Sequence, residues 1–258
     1  MHVLATSWPL LHRVGGVILS RWAHFLAGIT WIGLLYYFNF VQTPAFAGFD
    51  AGARNEATAK LVPRALWWFR WGAMLTLLSG ISILAFQDQF NGNYFKTPSG
   101  VSISTGILLA LVMFSNVWFV IWPAQKRVIA NAENVLAGGQ ADPAAAGFAR
   151  KGLLASRTNT LLSIPMLFFM AATSHFAVQG PTQLDVGGAH IAFPAPSKRG
   201  AFLGIMLFLT VILELNGLGL FGTEPGGARA YLDKHKNTII AGFAYAAVLI
   251  VLFEVLFS

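Results

Sequence analysis

The chain has 258 residues, of which 56% are hydrophobic and only 10% charged, with a net charge of +7 and a mean hydropathy of +0.63. A soluble domain of this length has no need of repeated apolar runs of about 20 residues, so the composition points to an all-α, polytopic membrane protein. The absence of cysteine excludes disulfides, thiolate metal sites, iron–sulfur clusters and covalently attached c-type haem within the chain.

The N-terminal stretch MHVLATSWPLLHRVGG has its first arginine at Arg13 and no small-x-small cleavage site, so the first spanning helix is expected to direct insertion. Six spans are predicted, at about 16–40, 64–86, 102–123, 157–178, 200–222 and 238–257. Each is about 20 residues, enough at 1.5 Å per residue to cross about 30 Å of hydrocarbon. Pro44, Pro63, Pro98, Pro123, Pro225 and the Gly180-Pro181 pair punctuate the ends.

The first span holds His24, with Arg21, Ala27 and Gly28 one turn away. An ionisable side chain at that depth needs a partner, a cavity or a metal. The second span holds Arg70, between Phe69 and Trp71, toward its cytoplasmic half. Arg70 either snorkels to the headgroups or faces a polar interior, whereas Trp67, Trp68, Trp71, Trp118 and Trp122 read as interface anchors. Between the third and fourth spans, residues 124–156 place Val128, Ile129, Ala132, Val135 and Leu136 on one helical face, which suggests a cytoplasmic helical hairpin on the membrane surface.

The fourth span carries Pro165, expected to bend the helix and free the carbonyl of Leu161, and ends near His175 beside Ala171 and Ala172. The outer loop 179–199 contains QLDVGGAHIAF, two alternating stretches around Gly187 and Gly188 with the signature of a β-hairpin. Glu214 falls near the middle of the fifth span, where a carboxylate must be protonated, paired or hydrated. With Arg70 or Asn116 it would form a polar pocket for a small substrate, a quinone head group or a proton path. Asn39, Arg157, Asn159 and Asn216 fall at similar depth. Neither an internal repeat nor a separate soluble domain stands out, so residues 1–258 read as a single membrane domain.

Basic residues set the expected orientation. Arg54, Lys60, Arg64, Arg70, Lys126, Arg127, Arg150, Lys151, Arg157, Arg229, Lys234 and Lys236, 12 of the 17 Lys and Arg, flank the connections after spans one, three and five. The positive-inside rule then puts these connections in the cytoplasm and both termini outside. The positive charge is a topology signal, and no nucleic-acid partner is expected.

That orientation brings His24 and His175 to the same outer half. They are candidate iron ligands of one b-type haem, with small neighbours leaving room for the macrocycle, Arg21 facing a propionate and His12 as a reserve ligand. The alternative is a pair of histidines that hydrogen-bond neighbouring helices and bind nothing.

The stretches RWAHFLAGITWIGLLYYFNFVQTP, NVWFVIWPAQKRVI and SRTNTLLSIPMLFFMAATSHF together resemble the membrane domain of the bacterial urate oxidase (urate hydroxylase) family. The first and third are distantly similar to haem-binding membrane protoporphyrinogen oxidases and copper-resistance D-type proteins. The resemblance implies a bacterial inner-membrane location, a haem role for His24 and His175, and a substrate-side role for Arg157 and Asn159. Thr158 stands where the family pattern has a histidine, and the cytochrome c domain carried by such members is not found before Ser258. The expectation is therefore an oxidoreductase or electron-transfer subunit that passes electrons to an outer-side cytochrome. Its candidate substrate-side residues are Glu214, Arg70 and Asn159. The alternative is a non-catalytic subunit of a larger respiratory, photosynthetic or oxygenase complex.

Overall fold

The computed structural model describes residues 13–90, 92–179 and 195–257. In chain order they form α1 (Arg13–Tyr36), a π-helical segment (Tyr37–Gln42), α2 (Thr43–Ala47), α3 (Ala51–Lys60), α4 (Val62–Phe86) and α5 (Pro98–Ser115). A second π-helical segment (Asn116–Ile121), α6 (Trp122–Leu136), α7 (Ala145–Gln179), α8 (Pro196–Gly217), α9 (Ala230–Asp233) and α10 (His235–Phe257) follow. No strand occurs among the described residues. Six continuous helices are long and apolar enough to cross a bilayer: Arg13–Ala47, Val62–Phe86, Pro98–Leu136, Ala145–His175, Pro196–Gly217 and His235–Phe257. The β-hairpin expected around Gly187 and Gly188, and His12, lie outside the described residues.

Spans one and three run well past the boundaries expected from sequence. Pro44 and Pro123, read as terminators, lie inside continuous helices, each as the second residue of the α-helix that follows a π-helical segment. A proline within a helix lacks its N–H and crowds the carbonyl four residues earlier, here Phe40 and Phe119. Widening to π geometry just before the proline relieves that crowding without ending the helix. Residues 124–156 accordingly continue the two long helices, with α6 extending span three, a turn near 137–144, and the start of α7 leading into span four.

The two π segments share a sequence, Phe40-Val41-x-x-Pro44-Ala45 and Phe119-Val120-x-x-Pro123-Ala124. Each is followed by a helix that carries a basic residue (Arg64, Lys151), a leucine two positions on (Leu66, Leu153) and a buried or half-buried arginine (Arg70, Arg157). The α1–α4 and α5–α7 pairs thus share this short motif and the same π-segment-then-proline geometry.

α7 is the central element. In its most apolar stretch 67% of the residues are buried, against 22–33% for the other spans. Lipid tails are as apolar as leucine, so helices associate through close approach and polar bonds. At Gly72 of α4 a side chain would stand 3.1 Å from the backbone nitrogen of Trp31, and at Gly242 of α10 it would stand 3.0 Å from the carbonyl oxygen of Leu161. That second oxygen belongs to the carbonyl four residues before Pro165. The sequence reading expected Pro165 to free it, but the bare backbone of Gly242 covers it. Ser99 and Ser102 of α5 donate to the carbonyls of Thr173 and Phe169, both at 2.8 Å. Phe169, Phe202 and Phe253 join α7, α8 and α10 with ring centroids 5.3–6.1 Å apart.

Candidate functional site

The antiparallel hairpins divide the polar side chains between the two ends of the bundle. One end carries the connection 87–97, with His24 in α1 and His175 at the end of α7. The other carries the connections 48–61, 137–144 and 218–234, whose helical flanks hold basic residues such as Arg64, Lys126, Arg127, Arg150, Lys151 and Lys236.

His24 is half-buried against α4. Its Nδ1 donates to the carbonyl of Thr76 at 2.9 Å and lies 3.1 Å from the hydroxyl of Ser79, which is itself committed to the carbonyl of Leu75. His175 is exposed, and its Nδ1 reaches the carbonyl of Ala171 in its own helix at 3.3 Å. No hydrogen bond or ring contact joins the two among the described residues. The His24 imidazole nevertheless gives its Nδ1 proton to a backbone carbonyl, which leaves its Nε2 as the free lone pair; His175 Nδ1 stands 3.3 Å from both the Ala171 carbonyl and the Ser174 hydroxyl, and it takes the same form when it donates to the carbonyl. This is the tautomer that a metal-ligating histidine needs. Around the place where a side chain on Gly28 would stand there is no atom within 4 Å, and Arg21 is exposed. In donor chemistry these residues fit a b-type haem.

At the other end, α7 is buried all round from Ala155 to Ser163. Asn116, the first residue of its π segment, donates to Asn159 Oδ1 at 2.9 Å and to Glu214 Oε2 at 3.0 Å. Asn159 passes its own N–H to the carbonyl of Met113 at 2.9 Å. The three side chains therefore form one network across α5, α7 and α8, with Glu214 as the terminal acceptor. Asn39, within the other π segment, donates to Ser156 at 2.8 Å. Of the two partners expected for Glu214 the structure selects Asn116. Arg70 lies instead on the indole of Trp122, with its guanidinium carbon 3.6 Å from the ring centroid. Thr158, at the histidine position of the family pattern, bonds the carbonyl of Leu154 and packs so close to Gly217 that a Cβ there would collide with it.

Sequence reading missed the cover over this network. Residues 218–234 are held by three arginines. Arg150 donates to the carbonyl of Thr223 at 2.9 Å and pairs with Asp233 at 2.6 Å, Arg157 donates to the carbonyl of Leu232 at 2.6 Å, and Arg229 donates to that of Phe221 at 3.0 Å. Gly226, at φ 90°, turns its N–H onto Asp233 at 2.7 Å, and Asn216 bonds Ala228 and Tyr231. The glycine pair before Arg229 is the one signal that such a folded cover follows span five. Burial alone would raise the Asp233 carboxyl, but the bonds from Arg150 and Gly226 and the charges of Arg150 and Arg157 outweigh it and hold it below its ordinary value. Burial raises the Tyr231 phenol, against the Asn216 bond and the Arg229 charge.

At this end of the bundle several buried polar atoms have no protein partner among the described residues: Nε of Arg157, Nε and Nη1 of Arg229, and the side-chain oxygens of Asn39, Gln42 and Asn216. Buried donors and acceptors are costly unless matched.

Six spanning helices around a buried asparagine–glutamate network define a multi-pass helical membrane protein. Residues 89–185 match the model of the family described as urate oxidase N-terminal, the family that the sequence resembles. The match takes in Asn116, Arg157, Asn159 and His175, and leaves His24, Arg70 and Glu214 outside it. No curated protein and no solved structure matches the chain.

Proposed function

We propose that this chain is the membrane part of a urate oxidase-related oxidoreductase, taking its substrate at the basic-loop end and delivering electrons at the histidine end. The observation that carries the reading is the Asn116–Asn159–Glu214 network, two of whose three members lie within the matched segment. Urate, the substrate in the family's description, is a planar anion edged with N–H and C=O groups. The unpartnered Arg157 and Arg229 donors complement its oxygens, and the free oxygens of Asn39 and Asn216 complement its N–H groups. Glu214 is the one carboxylate in the network, so it is the group to accept a proton as the substrate is oxidised, with Asn116 holding it in place. Arg157 and Asn159 take the substrate-side role, and Arg70 stands outside it.

At the other end His24 and His175 would hold a b-type haem through Nε2, and the exposed Arg21, one turn before His24, would be the cation for a propionate. When bound, that group supplies one-electron transfer. The acceptor beyond it is an outer-side cytochrome c, and the setting is the bacterial inner membrane.

The test is to purify the full chain, record its absorption spectrum, and follow urate loss in the presence of oxidised cytochrome c. A Soret band together with urate-dependent cytochrome reduction is expected. A colourless chain that leaves urate untouched would replace this reading with that of a non-catalytic subunit of a larger membrane complex.

A further inference from the structure

Arg70 is not used by the network above, and its surroundings are unusual for a cation on a spanning helix. Its guanidinium carbon lies 3.6 Å from the ring centroid of Trp122 and 5.4 Å from that of Trp118, side chains one helical turn apart across the end of the π segment. The ammonium of Lys126 stands 5.5 Å from the same Trp122 ring. Two cations thus share one indole. Like charges gathered on a single ring repel each other unless an anion joins them.

No protein anion does so. Arg70 and Lys126 make no hydrogen bond and no ion pair among the described residues. Glu56 on the neighbouring α3 is paired with Lys60. Two further donors in the cluster, Arg70 Nε and Trp118 Nε1, are buried without an acceptor. The site therefore has two cations, at least two unmet N–H donors and no acceptor.

Its position tells which anion fits. Trp67, Trp68 and Trp71 surround it with exposures of 48%, 60% and 41%, and Phe119 is 74% exposed. Trp67 leans on Trp71, which meets Trp118 edge-on. An indole belt of this kind marks the depth of the headgroups, and basic clefts between helices at that depth bind phosphate-bearing lipid heads. We infer that Arg70, Lys126, Trp118 and Trp122 form a binding site for the phosphate of an anionic phospholipid, seated between α4 and the π segment leading into α6. The lipid would neutralise the paired cations and clamp the two hairpin units where they meet.

The experiment uses the full chain, delipidated in neutral detergent, and follows its thermal unfolding as phosphatidylglycerol is added. A rising midpoint is expected with phosphatidylglycerol and none with phosphatidylcholine. Inorganic phosphate at the same concentration should leave the midpoint unchanged. Lys126→Gln, on an exposed position that does not threaten folding, should raise the lipid concentration for half-effect about fivefold, the value of one basic residue at a lipid surface. Arg70→Gln should abolish the lipid response. Equal stabilisation by phosphatidylcholine, or a Lys126→Gln response identical to that of the unmodified chain, would overturn the site. A full response to inorganic phosphate would overturn the lipid as its occupant.

Discussion

The hydroxyl of Tyr36 in α1 lies 2.9 Å from that of Ser163 in α7. Ser163 gives its own hydrogen to the carbonyl of Thr160, so Tyr36 is the donor. This bond fixes the register of two antiparallel helices. His24 precedes Tyr36 by twelve residues and His175 follows Ser163 by twelve. At 1.5 Å per residue both imidazoles stand about 18 Å from the bond on the same side, at one level of the bundle.

Shared level and free Nε2 atoms lead to the first prediction. His24→Ala should abolish or shift the Soret band of the purified chain, and His175→Ala should convert a six-coordinate low-spin spectrum to a five-coordinate one. Electron paramagnetic resonance separates these states. A spectrum unchanged in both variants would assign the two histidines to helix packing alone.

The second prediction concerns the network. Glu214→Gln keeps the shape and the bond from Asn116 but cannot accept a proton. Substrate-dependent electron transfer should fall by about 100-fold or more, the usual scale of a general base. The spectrum at the histidine end should stay unaltered. Asn159→Ala should act differently. It strands buried Asn116 and Met113 groups, so stability should drop by about 1–3 kcal/mol along with activity. Equal activity in Glu214→Gln and the unmodified chain, measured by cytochrome reduction, would make the network structural.

Much of this was legible in the sequence, and the exceptions have physical causes. Span number and the depth of His24, Asn116, Asn159 and Glu214 follow from hydropathy and helical rise. The extra length of spans one and three does not, because a proline normally ends a helix and a π segment removes that penalty at Pro44 and Pro123. Nor does the choice between Arg70 and Asn116 as the partner of Glu214. Both residues lie at a suitable depth, and which one faces Glu214 depends on helix rotation, which in a uniformly apolar helix leaves little trace in the sequence. The cover 218–234 left only its glycine pair as a sign, because most of its bonds run from arginine side chains to backbone carbonyls, which carry no residue signature.

The third prediction follows from that cover. Asp233 lies outside the spans and its carboxyl is held below its ordinary value of 3.8. A depressed carboxyl contributes stability that is present above the unfolded value and is lost as pH falls through the folded one. Hydrogen exchange in residues 218–234 should therefore quicken below about pH 4 while the spans stay protected. Asp233→Asn should show fast exchange at neutral pH and no further change on acidification. Unaltered exchange in that variant would mean that Arg157 and Arg229 hold the cover unaided.

The fourth prediction tests the expected orientation. Asn93 and Ala137 are exposed in connections at opposite ends of the bundle. The chain has no cysteine, so a single one introduced at either position is the sole label site. An impermeant maleimide added to intact cells should label Asn93→Cys, and Ala137→Cys only after permeabilisation. The reverse pattern would place the basic connections outside, against the positive-inside rule.

The last prediction concerns the close approach of α10 to α7. A Cβ at Gly242 would lie 3.0 Å from the carbonyl oxygen of Leu161, tighter than ordinary contact, with the flexible end of Ile164 also in the way. The isoleucine side chain can turn aside, but the carbonyl belongs to the backbone of the most buried helix. Gly242→Ala should therefore push α10 outward and cost about 1–3 kcal/mol, the scale of overpacking in a filled core. Gly242→Val should cost more, because its branched Cβ cannot rotate away. The strain at this contact has a second relief, so Ile164→Val should recover only the part due to side-chain crowding. A midpoint for Gly242→Ala equal to that of the unmodified chain would show that α10 shifts freely, and that the Leu161 carbonyl is open to the bundle interior.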